Sequence, residues 1–223
     1  MKLTLLCNAG LLIEAEGSAL LVDVPNSEIA PFYRLPDEVW QSILQKKPPY
    51  DRVCGFWFTH DHPDHFDRER MMQYLAAYPQ TPVFLPGNMT TAGRVKMGPF
   101  LIEYCKADHA PIPQAPPHVI SLISVGEYSL YLPADAALEP NVHLAFLRGR
   151  KTDAAVWNAM YLSRSDTRNL MQQVSKRNFI YHMPEQKPDP SGLWRKLETN
   201  FSRYGQELSS VTVLESYPSE IEI

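Results

Sequence analysis

The chain has 223 residues, 44% of them hydrophobic and 21% charged, which is enough apolar content to bury a core and excludes a disordered polypeptide. Its 21 basic and 25 acidic residues leave a net charge of −4, which argues against a broad nonspecific nucleic-acid surface but leaves room for a local basic patch. No run approaches the roughly 20 apolar residues of a membrane span, and the three cysteines, Cys7, Cys54 and Cys105, are odd in number and far apart, as expected of structural thiols in a reducing compartment.

The N-terminal run MKLTLLCNAG is broken by Asn8 and soon followed by acidic residues, so it reads as a strand rather than a secretory leader and points to the cytoplasm. Alternation predicts strands at 3–6, 11–14 and 19–24, the last stopped by Pro25. A helix follows over 37–44, with Pro36 before it and Lys46-Lys47 after it. The continuous apolar run 52–59 has the character of a strand covered on both faces. Residues 68–78 then form a helix capped by Asp67, with Met71, Met72 and Leu75 on one side.

In the second half, strands are expected at 83–85, 100–104, 119–123, 128–132, 142–147, 179–181 and 211–214, and helices at 165–177 and 193–204. Trp157 and Tyr161 read as the buried face of a further helix. The twenty prolines fall mostly in loops, notably Pro111, Pro113, Pro116 and Pro117. Two batches of strands, each followed by helices, predict two sheets packed together with helices outside. The absence of repeats and low-complexity linkers predicts one domain over residues 1–223.

The stretch THDHPDHFD, residues 59–67, concentrates the chemistry. It holds three of the seven histidines and three aspartates, directly after the buried strand. A divalent cation needs several nitrogen or oxygen donors close together. His60 and His62 are two apart, so both rings can turn to one side of extended backbone. Pro63 bends the chain so that Asp64 and His65 can face a second ion. Loops at strand ends on a rigid sheet are a common home for such sites.

The pattern H-x-H-x-D-H after a buried strand resembles the signature of the metallo-β-lactamase superfamily. Residues in the order expected of its further motifs follow over positions 3–185: Asp23 at an early strand end, His109 in a loop, Asp135 and His182 after later strands. The sequence departs from the family at Ala134, where glycine often precedes the aspartate, and at Lys106-Ala107-Asp108, where a Thr-Pro-Gly turn often precedes the histidine. His118 and His143 match nothing in the pattern and read as ordinary buried histidines.

The resemblance implies a four-layer αββα sandwich of two mixed β-sheets flanked by helices. It implies two divalent metal ions, zinc first, with manganese or iron also compatible with mixed imidazole and carboxylate donors. His60, His62 and His109 would hold one ion, and Asp64, His65 and His182 the other. Asp135 would bridge, Asp23 would stand behind the ligands, and Asp64 would double as the group that orients a hydroxide and takes up a proton.

The implied activity is hydrolysis of an ester, lactone or phosphoester of a small substrate, as in the compact lactonase-like members. Arg148 and Arg150, in the turn Arg148-Gly149-Arg150-Lys151, suggest an anionic substrate. The alternatives are a phosphodiesterase or nuclease with the same two ions, a mono-iron sulfur dioxygenase, and a binding module without catalysis.

Overall fold

A computed structural model describes every residue except Met89, Pro111, Pro113, Glu185 and Ser216, so the first two prolines of the 111–117 loop lie outside the described residues. In chain order its elements are β1 (Lys2–Leu5), β2 (Leu11–Ala15), β3 (Ser18–Val22), α1 (Asp37–Leu44), β4 (Val53–Trp57), α2 (Arg68–Ala77), β5 (Val83–Phe84), β6 (Ala92–Met97) and β7 (Phe100–Lys106). They continue with β8 (Val119–Val125), β9 (Tyr128–Ala134), α3 (Pro140–Leu147), β10 (Thr152–Asn158), α4 (Ser165–Val174), β11 (Ser175–Tyr181), α5 (Leu193–Tyr204), β12 (Val211–Val213) and β13 (Ser219–Glu222).

The strands form two mixed sheets, ordered β13-β1-β2-β3-β4-β5 and β12-β11-β10-β9-β8-β7-β6. Alternation decides the layers. Leu11, Ile13, Leu20, Val22 and Trp57 of the first sheet meet Ile102, Ile123, Leu130, Val156 and Phe179 of the second in one buried core. The opposite faces are buried too. Leu12, Leu21 and Phe56 pack under α1 and α2 with Trp40, Met71 and Tyr74. Ile120, Tyr131, Trp157 and Ile180 pack under α3, α4 and α5 with Leu147, Met171 and Trp194. The result is the expected αββα order of layers. Deep in that core Trp57 Nε1 donates across the sheets to Ser121 Oγ at 3.0 Å.

Several elements differ from the sequence reading. Residues 142–147 belong to the helix α3, not to a strand. Pro140 occupies its first turn, and Arg148 and Gly149, with φ of 51° and 77°, end it in left-handed conformation. A short run that is apolar but for His143 suits a strand and a helix alike, and the flanking residues decide. Trp157 lies on β10, a central parallel strand buried on both faces, rather than on a helix, and Tyr161 lies in a 3₁₀ turn after it. The helix expected to reach 177 stops at Val174, where β11 begins. The edge strands β6 and β13, rich in exposed polar residues, carry too weak an apolar signal to be read. No described helix is long and apolar enough to cross a membrane. The cysteines are free, Cys7 buried and Cys54 and Cys105 half-buried.

Strand direction positions the site. β3 runs parallel to β4, and β9 to β12 run parallel to one another; β7 shares the direction of β9 because both are antiparallel to β8. Their C-terminal ends meet at one rim, where the sheets are tied together. Val119 N–H donates to Thr59 O at 3.0 Å and His182 N–H donates to Asn8 O at 3.1 Å. Carboxyl ends of parallel strands are the usual home of ligands in such sheets.

Candidate metal centre

Each candidate ligand named from the sequence sits past a strand end at this rim. Three of those exits turn through left-handed backbone: Asp23 (φ 52°), Ala134 (φ 49°) and His182 (φ 61°). Residues with a Cβ reach that region at a cost of about 1 kcal/mol each, and such strain gathers at sites that need a side chain re-aimed. The glycine expected before Asp135 thus has a reason, and Ala134 adopts the same conformation. After β4, His65 N–H (2.9 Å) and Phe66 N–H (2.8 Å) both donate to His62 O, closing the turn that brings His60, His62, Asp64 and His65 onto one side.

Seven side chains converge. His60, His62 and His109 form one triad whose donor atoms lie within 4.8 Å of one another; Asp64, His65 and His182 form a second, and His60, His65 and Asp135 a third that joins them. Asp135 Oδ2 lies 3.9 Å from His60 Nε2, 3.3 Å from His65 Nε2, 3.8 Å from His109 Nε2 and 3.4 Å from His182 Nε2. His60 Nε2 and His62 Nδ1 are 3.1 Å apart, and His65 Nε2 and His182 Nε2 are 2.9 Å apart. His182 Nε2 reaches Asp64 Oδ2 at 3.2 Å.

The outer nitrogens fix the tautomers. His109 Nδ1 donates to Ala110 O at 2.8 Å, which leaves its Nε2 a bare lone pair, and that atom is buried without a partner. His65 Nδ1 donates to Asp23 Oδ2 at 2.9 Å. His60 Nδ1 lies 3.0 Å from Thr59 Oγ1, whose hydroxyl donates to Asp23 Oδ2 at 2.8 Å, while Thr59 N–H donates to Asp23 Oδ1 at 2.7 Å. One buried aspartate therefore holds two rings, one directly and one through Thr59, with both Nε2 atoms aimed inward. Metal-binding histidines are oriented in this way.

Electrostatics complete the test of fit. Burial keeps His60 well below its usual pKa and lowers His62 too, with His109 adding to the effect. Burial opposes a charge on His65 and His182 as well, but the surrounding carboxylates outweigh it. Asp23 and Asp135 raise His65 well above its ordinary value, and Asp135 and Asp64 raise His182 to about 9. Burial disfavours ionised Asp64, yet His182 and His65 pull it down to about 2. Asp135, equally opposed by burial, is held well below the carboxylate range by His182 and His65. The carboxylates thus favour positive charge where the second triad meets Asp135. The donor set, the orphaned Nε2 and this demand for cations fit divalent ions such as zinc, with manganese and iron chemically admissible.

Two arginines do not join this cluster. Arg148 and Arg150 precede β10, at the opposite end of the parallel strands from Asp135. Arg150 pairs with Glu103 at 2.5 Å and donates to the carbonyl of Leu147 at 3.0 Å, and Arg148 caps α3. An anionic substrate therefore loses its support from this turn. His118, read as an ordinary core histidine, is buried but touches the site, because its Nε2 accepts from Asp135 N–H at 3.2 Å. Burial holds its pKa at about 3, so it stays neutral. His143 keeps the plainer reading, buried between Tyr131 OH (2.6 Å) and Tyr161 OH (3.1 Å).

Sequence reasoning missed two further residues. Asn158 donates to Asp135 Oδ1 at 2.7 Å, and Asn26 anchors the 26–35 loop by accepting from Leu35 N–H at 2.8 Å and donating to Tyr33 O at 2.9 Å. That loop sets Phe32 edge-on against His182, with ring centroids 4.4 Å apart, and leaves Ile29 exposed beside it. A polar residue ending a strand was the available signal for Asn158, but it required recognising β10.

No family model and no curated protein matches the sequence. Solved structures do match. A possible metal-dependent hydrolase from Veillonella parvula aligns at a TM-score of 0.68 and 13% identity, covering 100% of this chain and 99% of that one. Isothiocyanate hydrolase from Delia radicum gut bacteria aligns at 0.67 and 14%, again covering 100% and 99%. The metallo-β-lactamase fold protein YhfI from Bacillus subtilis gives 0.67 and 14% over the same coverage. At these identities the likeness is one of fold.

Proposed function

We propose that this chain, whose fold is that of the metallo-β-lactamase superfamily, is a metal-dependent hydrolase of a small ester, lactone or phosphoester. The observation that carries the reading is the meeting of four ring nitrogens around Asp135 Oδ2, between two triads of ligand-type side chains. His60, His62 and His109 would hold one divalent ion, Asp64, His65 and His182 a second, and Asp135 both. Two bound ions supply a hydroxide near neutral pH and polarise the oxygen of the bond to be cleaved.

The rest falls to the chain itself. Asp23 and Thr59 keep the His65 and His60 lone pairs turned inward. Asp64, ionised and close to His182, would orient the attacking oxygen and relay its proton to the oxygen of the leaving alkoxide. Water adds across the bond, giving an acid and an alcohol. Phe32 and Ile29 border the His182 side with apolar surface, which favours an ester or lactone with an apolar acyl portion over a purely ionic substrate.

The test is elemental analysis of the purified protein, followed by turnover of simple lactones, esters and bis(p-nitrophenyl) phosphate with added Zn²⁺ or Mn²⁺. His62→Ala is expected to abolish turnover and lower bound metal while the fold persists, since His62 is only half-buried. Full activity in that variant refutes the reading. Preference for the phosphodiester identifies the phosphodiesterase alternative, and iron with oxygen uptake identifies the dioxygenase.

A further inference from the structure

Asp135 is held at three points besides the cluster. Its N–H donates to His118 Nε2 at 3.2 Å, its carbonyl accepts from Ala110 N–H at 2.7 Å, and its Oδ1 accepts from Asn158 Nδ2 at 2.7 Å. Toward each of the four histidines around it, the near oxygen is Oδ2. Asn158 cannot turn its amide over, because its Oδ1 accepts from Met160 N–H at 3.1 Å. A flip would set carbonyl against carboxylate and amide against N–H. The side chain is buried and starts from the last residue of β10, which is paired with β11 at Tyr181. It is therefore a rigid donor aimed at one oxygen of a carboxylate. A carboxylate left to itself can bind through either oxygen or both.

We infer that Asn158 is a positioning residue that occupies Asp135 Oδ1 and so confines the bridge between two ions to the single atom Oδ2. The inference rests on the dinuclear reading above. A one-atom bridge draws two ions close and couples them; a two-atom bridge spaces them apart and couples them weakly. His118 and Ala110 set the backbone of Asp135, and Asn158 sets which oxygen points inward. No residue adjacent to Asn158 in sequence takes part, which makes it separable by mutation.

Asn158→Ser and Asn158→Thr both keep a side-chain oxygen for Met160 N–H, as cap-forming residues, but are too short to reach Asp135 as well. The full chain and both variants would be loaded with Mn²⁺, with binding measured by equilibrium dialysis and elemental analysis and the metal pair examined by electron paramagnetic resonance. The unsubstituted chain is expected to bind two ions with the multiline signal of a coupled pair. In the variants one ion is expected to bind ten- to a hundredfold more weakly, the range found when a partner behind a metal ligand is removed, and the signal should become that of isolated Mn²⁺. Circular dichroism checks the fold. A coupled pair of unchanged affinity in a folded variant overturns the inference. So does failure of both variants to fold, since the bond would then serve folding rather than the bridge. A single uncoupled ion in the unsubstituted chain instead refutes the dinuclear reading itself.

Discussion

Replacing Asp23 by asparagine changes one atom and should disturb both triads. Asp23 accepts three hydrogen bonds, from Thr59 N–H, Thr59 Oγ1–H and His65 Nδ1–H, at 2.7, 2.8 and 2.9 Å. Asparagine cannot accept all three. With its carbonyl kept toward Thr59 N–H, the amide faces His65 Nδ1 and Thr59 Oγ1 and can only donate. His65 must then accept on Nδ1 and carry its proton on Nε2, the atom aimed at Asp135. Thr59 must reverse its hydroxyl, donating to His60 Nδ1, and His60 Nε2 gains a proton as well. With the amide turned over, Thr59 N–H meets a donor in a fully buried site, at a cost of roughly 1–3 kcal/mol. The first arrangement costs metal binding and the second costs stability. Losing the partner behind a ligand lowers metal affinity about 10–100-fold, or roughly 1.4–2.7 kcal/mol, and here two ligands share that partner. Competition with a chromophoric chelator for Zn²⁺, together with melting of the metal-free protein, separates the two costs. Zinc affinity within twofold of the parent, at unchanged melting temperature, would show that Asp23 does not orient these rings.

Acid should destabilise the metal-free fold through His143. Burial opposes its charge and outweighs the Ala137 carbonyl, lowering its pKa to about 4. Above the unfolded value of about 6.5 neither state binds the proton. Below it the unfolded chain does and the native chain does not, so stability falls between about pH 6.5 and 4, by roughly 3 kcal/mol at most. Denaturant melts of His143→Gln across that window should show a flatter acid limb; an identical slope contradicts the assignment. Trp57→Phe keeps an aromatic between the sheets but strands Ser121 Oγ, so a loss of about 1–3 kcal/mol is expected in urea unfolding, and no loss would mean that the bond is immaterial. Arg148→Ala and Arg150→Ala should leave kcat/KM within about twofold; breaking the partly exposed Arg150–Glu103 pair costs at most about 1 kcal/mol of stability. A tenfold fall in kcat/KM would return this turn to the substrate.

Local pattern along the chain was enough for the layers and for naming the candidate ligands. Strand alternation marks which face is buried over a few residues, and the spacing of His60, His62, Asp64 and His65 fixes their relation through a single turn. Both are local properties, visible wherever a period or a short motif dominates. Asp23, His109, Asp135 and His182 could be named from their order along the chain, although each alone is an ordinary strand-end residue. The rest was settled by packing in three dimensions. Runs such as Val142–Leu147, apolar but for His143, and Ala154–Trp157 show no clear period, so the choice between helix and strand passed to what packs around them. The bonds of Asp135 to His118 and Asn158, and of Arg150 to Glu103, join residues 17, 23 and 47 positions apart. Hydrogen-bond partners are set by where strands end in space, and that distance is not written in any local pattern. For the same reason the basic turn, close to Asp135 along the chain, lies at the other end of the sheet: one helix carries the chain back the length of a strand before β10 begins.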